Sequence, residues 1–190
     1  MLRQLDVSLD VRNAERLPSP DTRMVFVSNH PLGGLDGIAL VKILGEMYGD
    51  DRIRVLVNDL LMAVTPLKHV FLPINKFGRQ ARQSAVKINE AYASDAQICV
   101  FPAGLVSRLD KQGNIRDLEW QKAFVAKALE YGRTVVPVRF EGENSPFFYK
   151  FARLRKRLGL KINIEQAFLP REIFNTRGKR YSIPEEKDSA

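Results

Sequence analysis

"RMVFVSNHPLGGLDGIALVKIL", residues 23–44, carries an apolar run, a glycine-bearing turn and the start of a periodic helix in one piece. RMVFVS is apolar in succession and reads as a buried strand. Beyond the turn, Ile38, Val41, Leu44 and Met47 recur at helical spacing, and Gly49 supplies a stop. Between strand and helix stand His30 and Asp36, with Gly33 and Gly34 separating them. A carboxylate on imidazole Nδ1 fixes the tautomer and leaves Nε2 free to take a proton. Asp36 is also placed to cap the helix through backbone N–H groups, with His30 an ordinary loop residue. Spacing leaves both readings open.

Working outward, LDVSLDV (5–11) alternates as a half-exposed strand, and RIRVLV (52–57) and QICVFP (97–102) read as strands, the latter buried. DLLMAVTPLKHVFLPI (59–74) is broken by Pro66 and Pro73 and reads as a short helix, a turn and a short strand. Helices are expected over 79–94 and over LEWQKAFVAKALEYG, closed by Gly132. TVVPVRF (134–140) is a strand whose Pro137 demands an edge or a bulge. KINIEQAF (161–168) reads as the last strand, and the polar tail from about Asn175 is expected to fray. Strands alternate with helices, and several strands are continuously apolar. The pattern predicts an α/β fold: a mixed, largely parallel central sheet flanked by helices on both faces, as a single domain over 1–190. In such folds ligands gather beyond the carboxyl ends of the strands. SNHPLGGLD, PINKFGRQ and FPAGLVSR all fall at that rim.

The chain has 190 residues, enough for one sizeable core. Its lone cysteine, Cys99, excludes an internal disulfide and reads as a small buried hydrophobe. His69, inside an apolar run, is expected to be structural. Thirty Lys and Arg against 22 Asp and Glu give +8, which favours anionic partners. A nucleic-acid-binding domain would interleave its basic residues with exposed aromatics or carry a recognisable helix motif; neither is found, so no nucleic-acid partner is expected. A hydrolase reading lacks a G-x-S-x-G elbow. The N-terminus shows no signal-peptide core, and no run reaches the length of a membrane span.

NHPLGGLDG, PINKFGR, FPAGLVSR and VVPVRF occur in this order, and together they resemble the glycerophospholipid (lysophospholipid) acyltransferase family. That family carries N-H-x4-D, a G-x-x-F-I-D-R-like motif, F-P-E-G-T-R-S and a V-P-V-like strand. The resemblance implies that His30 is the general base and Asp36 its orienting partner. The reaction would move an acyl group from a thioester, on acyl carrier protein or coenzyme A, to an acceptor hydroxyl. It implies no metal and no cofactor beyond that acyl-ACP or acyl-CoA co-substrate. It also implies substrate-binding positions at Asn29, Lys76, Arg79, Pro102, Gly104, Ser107 and Arg108. Lys76 stands where the second motif has Arg, with Arg79 beside it; the alternative for both is a solvated surface charge. The first motif has one residue more than the family spacing, within the Gly33–Gly34 segment. Ala103 replaces the family's Glu and Val106 its Arg, and Arg108 either substitutes for the lost cation or is a surface residue. This pattern is closer to the hemolysin-like subgroup, some members of which are associated with O-acylation of lyso-aminolipids. Relatives carry a helical segment before the first motif, so this is either a short member or a fragment lacking N-terminal helices. A non-catalytic lipid-binding relative is the alternative.

SPFFYKFARLRKRLGLK (145–161) places Phe147, Phe151, Leu154 and Leu158 on one helical stripe among Lys150, Arg153, Arg155, Lys156 and Arg157. Such a helix either lies on an anionic membrane surface or packs on the core with a solvated basic face. With a lipid acceptor, the first reading gives a cytoplasmic protein bound peripherally at the inner face of the membrane.

Overall fold

The computed structural model describes residues 6–12, 15, 17–57, 67–74, 78–160 and 162–183. Its centre is a five-stranded sheet in the order β4-β3-β5-β2-β8. These strands are β2 (Met24–Ser28), β3 (Ile53–Val57), β4 (Phe71–Pro73), β5 (Gln97–Val100) and β8 (Thr134–Val138). Each neighbouring pair is parallel. The expected α/β class therefore holds, and the sheet is parallel throughout the described strands. β2 and β5 are buried along their whole length, as their unbroken apolar sequences require.

Helix α1 (Gly34–Tyr48) covers one face, packing Leu40, Val41, Leu44 and Tyr48 on Met24, Phe26, Val55 and Cys99. Helices α2 (Gly78–Ala93) and α3 (Ala123–Glu130) cover the other, with Tyr92 and Ala128 on Val25, Ile98 and Val100. Burial pushes the Cys99 thiol far above its ordinary range, so it stays neutral and serves as core. Pro137 lies on the edge strand β8, where its missing N–H costs least.

Three expectations are corrected. Residues 162–168 do not form a strand; Ile164–Phe168 is a 3-10 turn, because Glu165 is drawn inward by Arg108 and Arg155 while Ile162 and Ile164 face out. It leads into the short helix α5 (Leu169–Phe174). The tail does not fray from 175: β9 (Arg180–Ile183) pairs in parallel with β1 (Ser8–Val11). Tyr181 anchors it in a cluster with Leu32, Leu35 and Phe140, a long-range contact that so short a polar strand does not announce. The helix expected from Leu118 starts only at Ala123; His69 is exposed in the turn before β4. An antiparallel hairpin of β6 (Arg108–Leu109) and β7 (Ile115–Arg116) was not expected. The helix expected after residue 58 lies outside the described residues. The basic segment forms helix α4 (Pro146–Arg157), started by Ser145, whose hydroxyl accepts from the Phe148 N–H.

Candidate active site

The turn after β2 is built around glycine and one carboxylate. Gly33 has φ +78°, and a Cβ there would sit 2.6 Å from Val106 Cγ2. The Asp36 side chain, fully buried, folds back under the turn. Its Oδ2 accepts from the Leu32 and Gly33 N–H groups at 2.9 and 3.1 Å, and Oδ1 accepts from Gly37 N–H at 2.8 Å. These charge-assisted bonds shape the loop and the first turn of α1 together.

The same Oδ2 lies 3.2 Å from His30 Nδ1. The extra residue in the first motif is thus absorbed by the Gly33–Gly34 turn. Asp36 both organises the helix start and faces the imidazole, so the two readings of the sequence coincide in one side chain. The contact is within ion-pair reach but poorly directed: Nδ1 is buried and makes no well-aligned hydrogen bond. The Phe101 ring packs on the imidazole, with centroids 4.4 Å apart. The His30 side chain is 13% exposed, and that exposure lies away from Nδ1.

The His30 backbone is pinned from both sides. Its N–H donates to the Asp117 carboxylate at 3.2 Å to each oxygen, and its carbonyl accepts from Ser107 N–H at 2.9 Å. Asp117 also accepts from the Ser107 hydroxyl at 2.5 Å and from Trp120 Nε1 at 3.0 Å. One carboxylate therefore ties the first motif to the third. Sequence reasoning missed Asp117 and Trp120. Their only signal was an acid and an aromatic in RDLEW, whose LEW the sequence assigns to a helix that the structure starts only at Ala123. It also gave no role to Phe101, the first residue of FPAG.

Several predicted substrate contacts are instead engaged by the protein. Asn29 makes a two-point amide pair with Phe140, donating to its carbonyl at 2.9 Å and accepting its N–H at 2.6 Å. That clamps the turn to the end of β8. The buried Pro102 offers its carbonyl to Gln121 N–H at 3.1 Å. Ser107 is buried and its hydroxyl is taken by Asp117. Gly104 is exposed at φ +67°, with open space where a side chain would be.

Arg108 is neither a surface residue nor a free cation. Its guanidinium donates to the Val106 carbonyl at 2.6 Å, pairs with Glu165 at 2.8 Å and lies over the Phe148 ring. Burial pulls its pKa down, and the Glu165 charge opposes that shift. Arg155 meets the other Glu165 oxygen at 2.8 Å, in ion-pair reach without good alignment. Val106 is buried among Phe148, Tyr149, Phe168 and Leu169. Lys76 lies outside the described residues, as does the side chain of Arg79, which falls in the first turn of α2. A cavity of about 330 Å³ opens between residues 143–146 and 172–179 and is lined by Glu143, Glu172 and Lys179. Neither His30 nor Asp36 lines it; it reaches the site only indirectly, through Asn144, which donates to the Pro31 carbonyl at 3.1 Å. Among the described residues, no cluster of three or more His, Cys, Asp or Glu is placed to hold a metal.

A family model described as acyltransferase matches residues 1–187. The chain belongs to the acyltransferase family. It is 46% identical over 179 residues to two proteins named lyso-glycine lipid O-acyltransferase, from Phocaeicola vulgatus and Bacteroides thetaiotaomicron. The match takes in 94% of this chain but only 63% and 65% of those proteins, so the chain spans somewhat under two thirds of their length. Among solved structures it is similar to the 1-acyl-sn-glycerophosphate (LPA) acyltransferase PlsC from Thermotoga maritima. That likeness has a TM-score of 0.52 at 20% identity over 74% of this chain and 53% of the other, and it concerns the acyltransferase fold. The parallel sheet flanked by helices is that fold in the present chain.

Proposed function

We propose that this protein is a lysolipid O-acyltransferase that moves a fatty acyl group from an acyl carrier protein or coenzyme A thioester to the hydroxyl of a lyso-aminolipid. His30 Nε2 takes the proton of the acceptor hydroxyl as its oxygen attacks the thioester carbonyl. Asp36 orients the ring and stabilises the imidazolium. Collapse of the tetrahedral intermediate breaks the C–S bond, the imidazolium returns the proton to the leaving thiolate, and the product is an ester. The carrying observation is the 3.2 Å approach of His30 Nδ1 to the buried Asp36 carboxylate at the carboxyl rim of the sheet.

Support for an acceptor without a phosphate comes from the third motif. Val106, at the family's Arg position, is packed into an apolar cluster. Arg108 is consumed by Glu165. No guanidinium of that motif is left to meet a phosphate. The name of the two similar proteins points the same way. The work site in this reading is the cytoplasmic face of a membrane, with the protein bound peripherally to anionic lipid. No helix among the described residues is long and apolar enough to cross one.

The test is mass spectrometry of lipids formed from acyl carrier protein or coenzyme A thioesters and a panel of lyso-acceptors, with wild type and His30→Ala. Product from a lyso-aminolipid, reduced about 10²- to 10⁴-fold in His30→Ala, is expected. Equal acylation of lysophosphatidic acid would overturn the acceptor class. Full activity in His30→Ala would overturn the mechanism. Lipid binding without product would favour a non-catalytic relative.

A further inference from the structure

The charge of this protein is not spread over it. Residues 145–183 contain ten Lys and Arg against two Glu, and the rest of the chain has twenty of each sign. Both of those Glu residues are buried: Glu165 between Arg108 and Arg155, and Glu172 accepting from the Ser145 N–H and hydroxyl at 2.7 Å. The solvent face of this segment therefore presents positive charge without an acidic group of its own to offset it. Lys150, Arg153, Lys156 and Arg157 on α4 are all exposed.

The same segment carries an aliphatic ridge. Helix α4 turns Phe148, Tyr149 and Ala152 to the core, so the stripe of Phe147, Phe151, Leu154 and Leu158 is not its core face. Phe168 packs against Phe147 and Phe151, with centroids 5.3 and 5.0 Å away, and gives the stripe an aromatic floor. Past that floor the ridge stays uncovered: Leu154, Leu158, Leu160, Ile162 and Ile164 are 43–76% exposed.

The elements that flank the ridge also pack on the turn that holds His30. Leu169 of α5 packs against Gly33, Ile173 against Gly34, and Phe148 shares a cluster with Val106.

We propose that α4 and residues 158–160 and 162–164 form a docking surface for an anionic lipid bilayer. The aliphatic ridge enters the acyl boundary, and the cations that flank it, Lys150 and Arg157 foremost, meet the headgroups. A bilayer satisfies both features at once. A nucleic acid would match the charge but offers no apolar phase to cover the exposed Leu154, Leu158, Leu160, Ile162 and Ile164. The proposal deepens the acyl-transfer reading by giving a lipid acceptor its route to His30, and it rests on that reading for the route alone.

The experiment is flotation of the full chain with vesicles of phosphatidylcholine, alone or mixed with phosphatidylglycerol, with no acyl donor present. Binding to the mixed vesicles that weakens with salt is expected, and little to phosphatidylcholine alone. Lys150→Gln with Arg157→Gln should weaken it about thirty-fold. Leu158→Ser with Ile162→Ser should weaken it about ten-fold or more. Both pairs are exposed, should keep the wild-type circular dichroism, and should leave turnover of a monomeric short-chain acceptor unchanged. Equal binding to both vesicle types, or unchanged binding in both variants, overturns the proposal. So does absence of vesicle binding alongside association with acyl carrier protein that the variants lose, which would assign the surface to the donor. Vesicle binding without any acyl transfer would leave the surface standing and remove the enzymatic reading instead.

Discussion

Two buried polar clusters occupy opposite ends of the same parallel strands. At the amino end, Arg133 points its guanidinium into a ring of carbonyls. Its five N–H groups donate to Tyr92, Met24, Ala96, Ala91 and Ser94 at 2.5–3.1 Å. No carboxylate is bonded there, and burial pulls its pKa down. At the carboxyl end, Asp36 is likewise saturated by backbone N–H groups, but His30 Nδ1 beside it has no well-directed bond. One cluster satisfies every donor it buries; the other keeps an imbalance at the ring that faces the rim. A cluster that only holds the fold gains by leaving nothing unpaired. Under the proposed mechanism the imidazole exchanges protons, and such a group needs an environment that does not lock it in one state.

That contrast can be broken at either end. The largest effect is expected from Arg133→Met, which removes the buried donors to the Tyr92, Met24 and Ala96 carbonyls: about 3 kcal/mol or more of stability should be lost, read from the urea midpoint. A shift equivalent to less than about 1 kcal/mol would show that solvent or repacking replaces the clamp. Asp36→Asn should lower turnover about 10²-fold and stability by about 1–2 kcal/mol, because an amide NH2 would face a backbone donor. If turnover at matched folded fraction stayed at the wild-type level, Asp36 would be a helix organiser alone. Asp117→Asn should have the smallest effect, lowering kcat several-fold while KM changes little, since it moves the His30 backbone rather than the acceptor. Asp117→Glu should recover part of that loss; no difference between the two variants would reduce Asp117 to a loop tie.

Much of the fold was legible because its strands are buried on both faces and therefore apolar without interruption. MVFVS, IRVLV and QICV declare themselves, and α1 shows its period. The elements that were misread depend on distant partners. β9 is four residues, stable only against β1 and the Leu32 cluster. The turn at Ile164–Phe168 copies a strand's alternation, and only the pull of two guanidiniums on Glu165 decides otherwise. The stripe on α4 was correctly placed on one face, but which face meets the core depended on the neighbouring hairpin and α5.

At the site, sequence alone determined the residue types and their order: an imidazole and a carboxylate flanking two glycines, followed by a proline–glycine turn lacking the family's Glu and Arg. Those are local facts, fixed by chain chemistry. Tertiary structure alone decided which side chains remain free. Asn29 and Ser107 read as substrate contacts and turned out to be tied to Phe140 and Asp117; Arg108 read as a spare cation and turned out to be buried against Glu165. A polar group's availability depends on whether the fold brings it a partner before a ligand does, and those partners lie dozens of residues away.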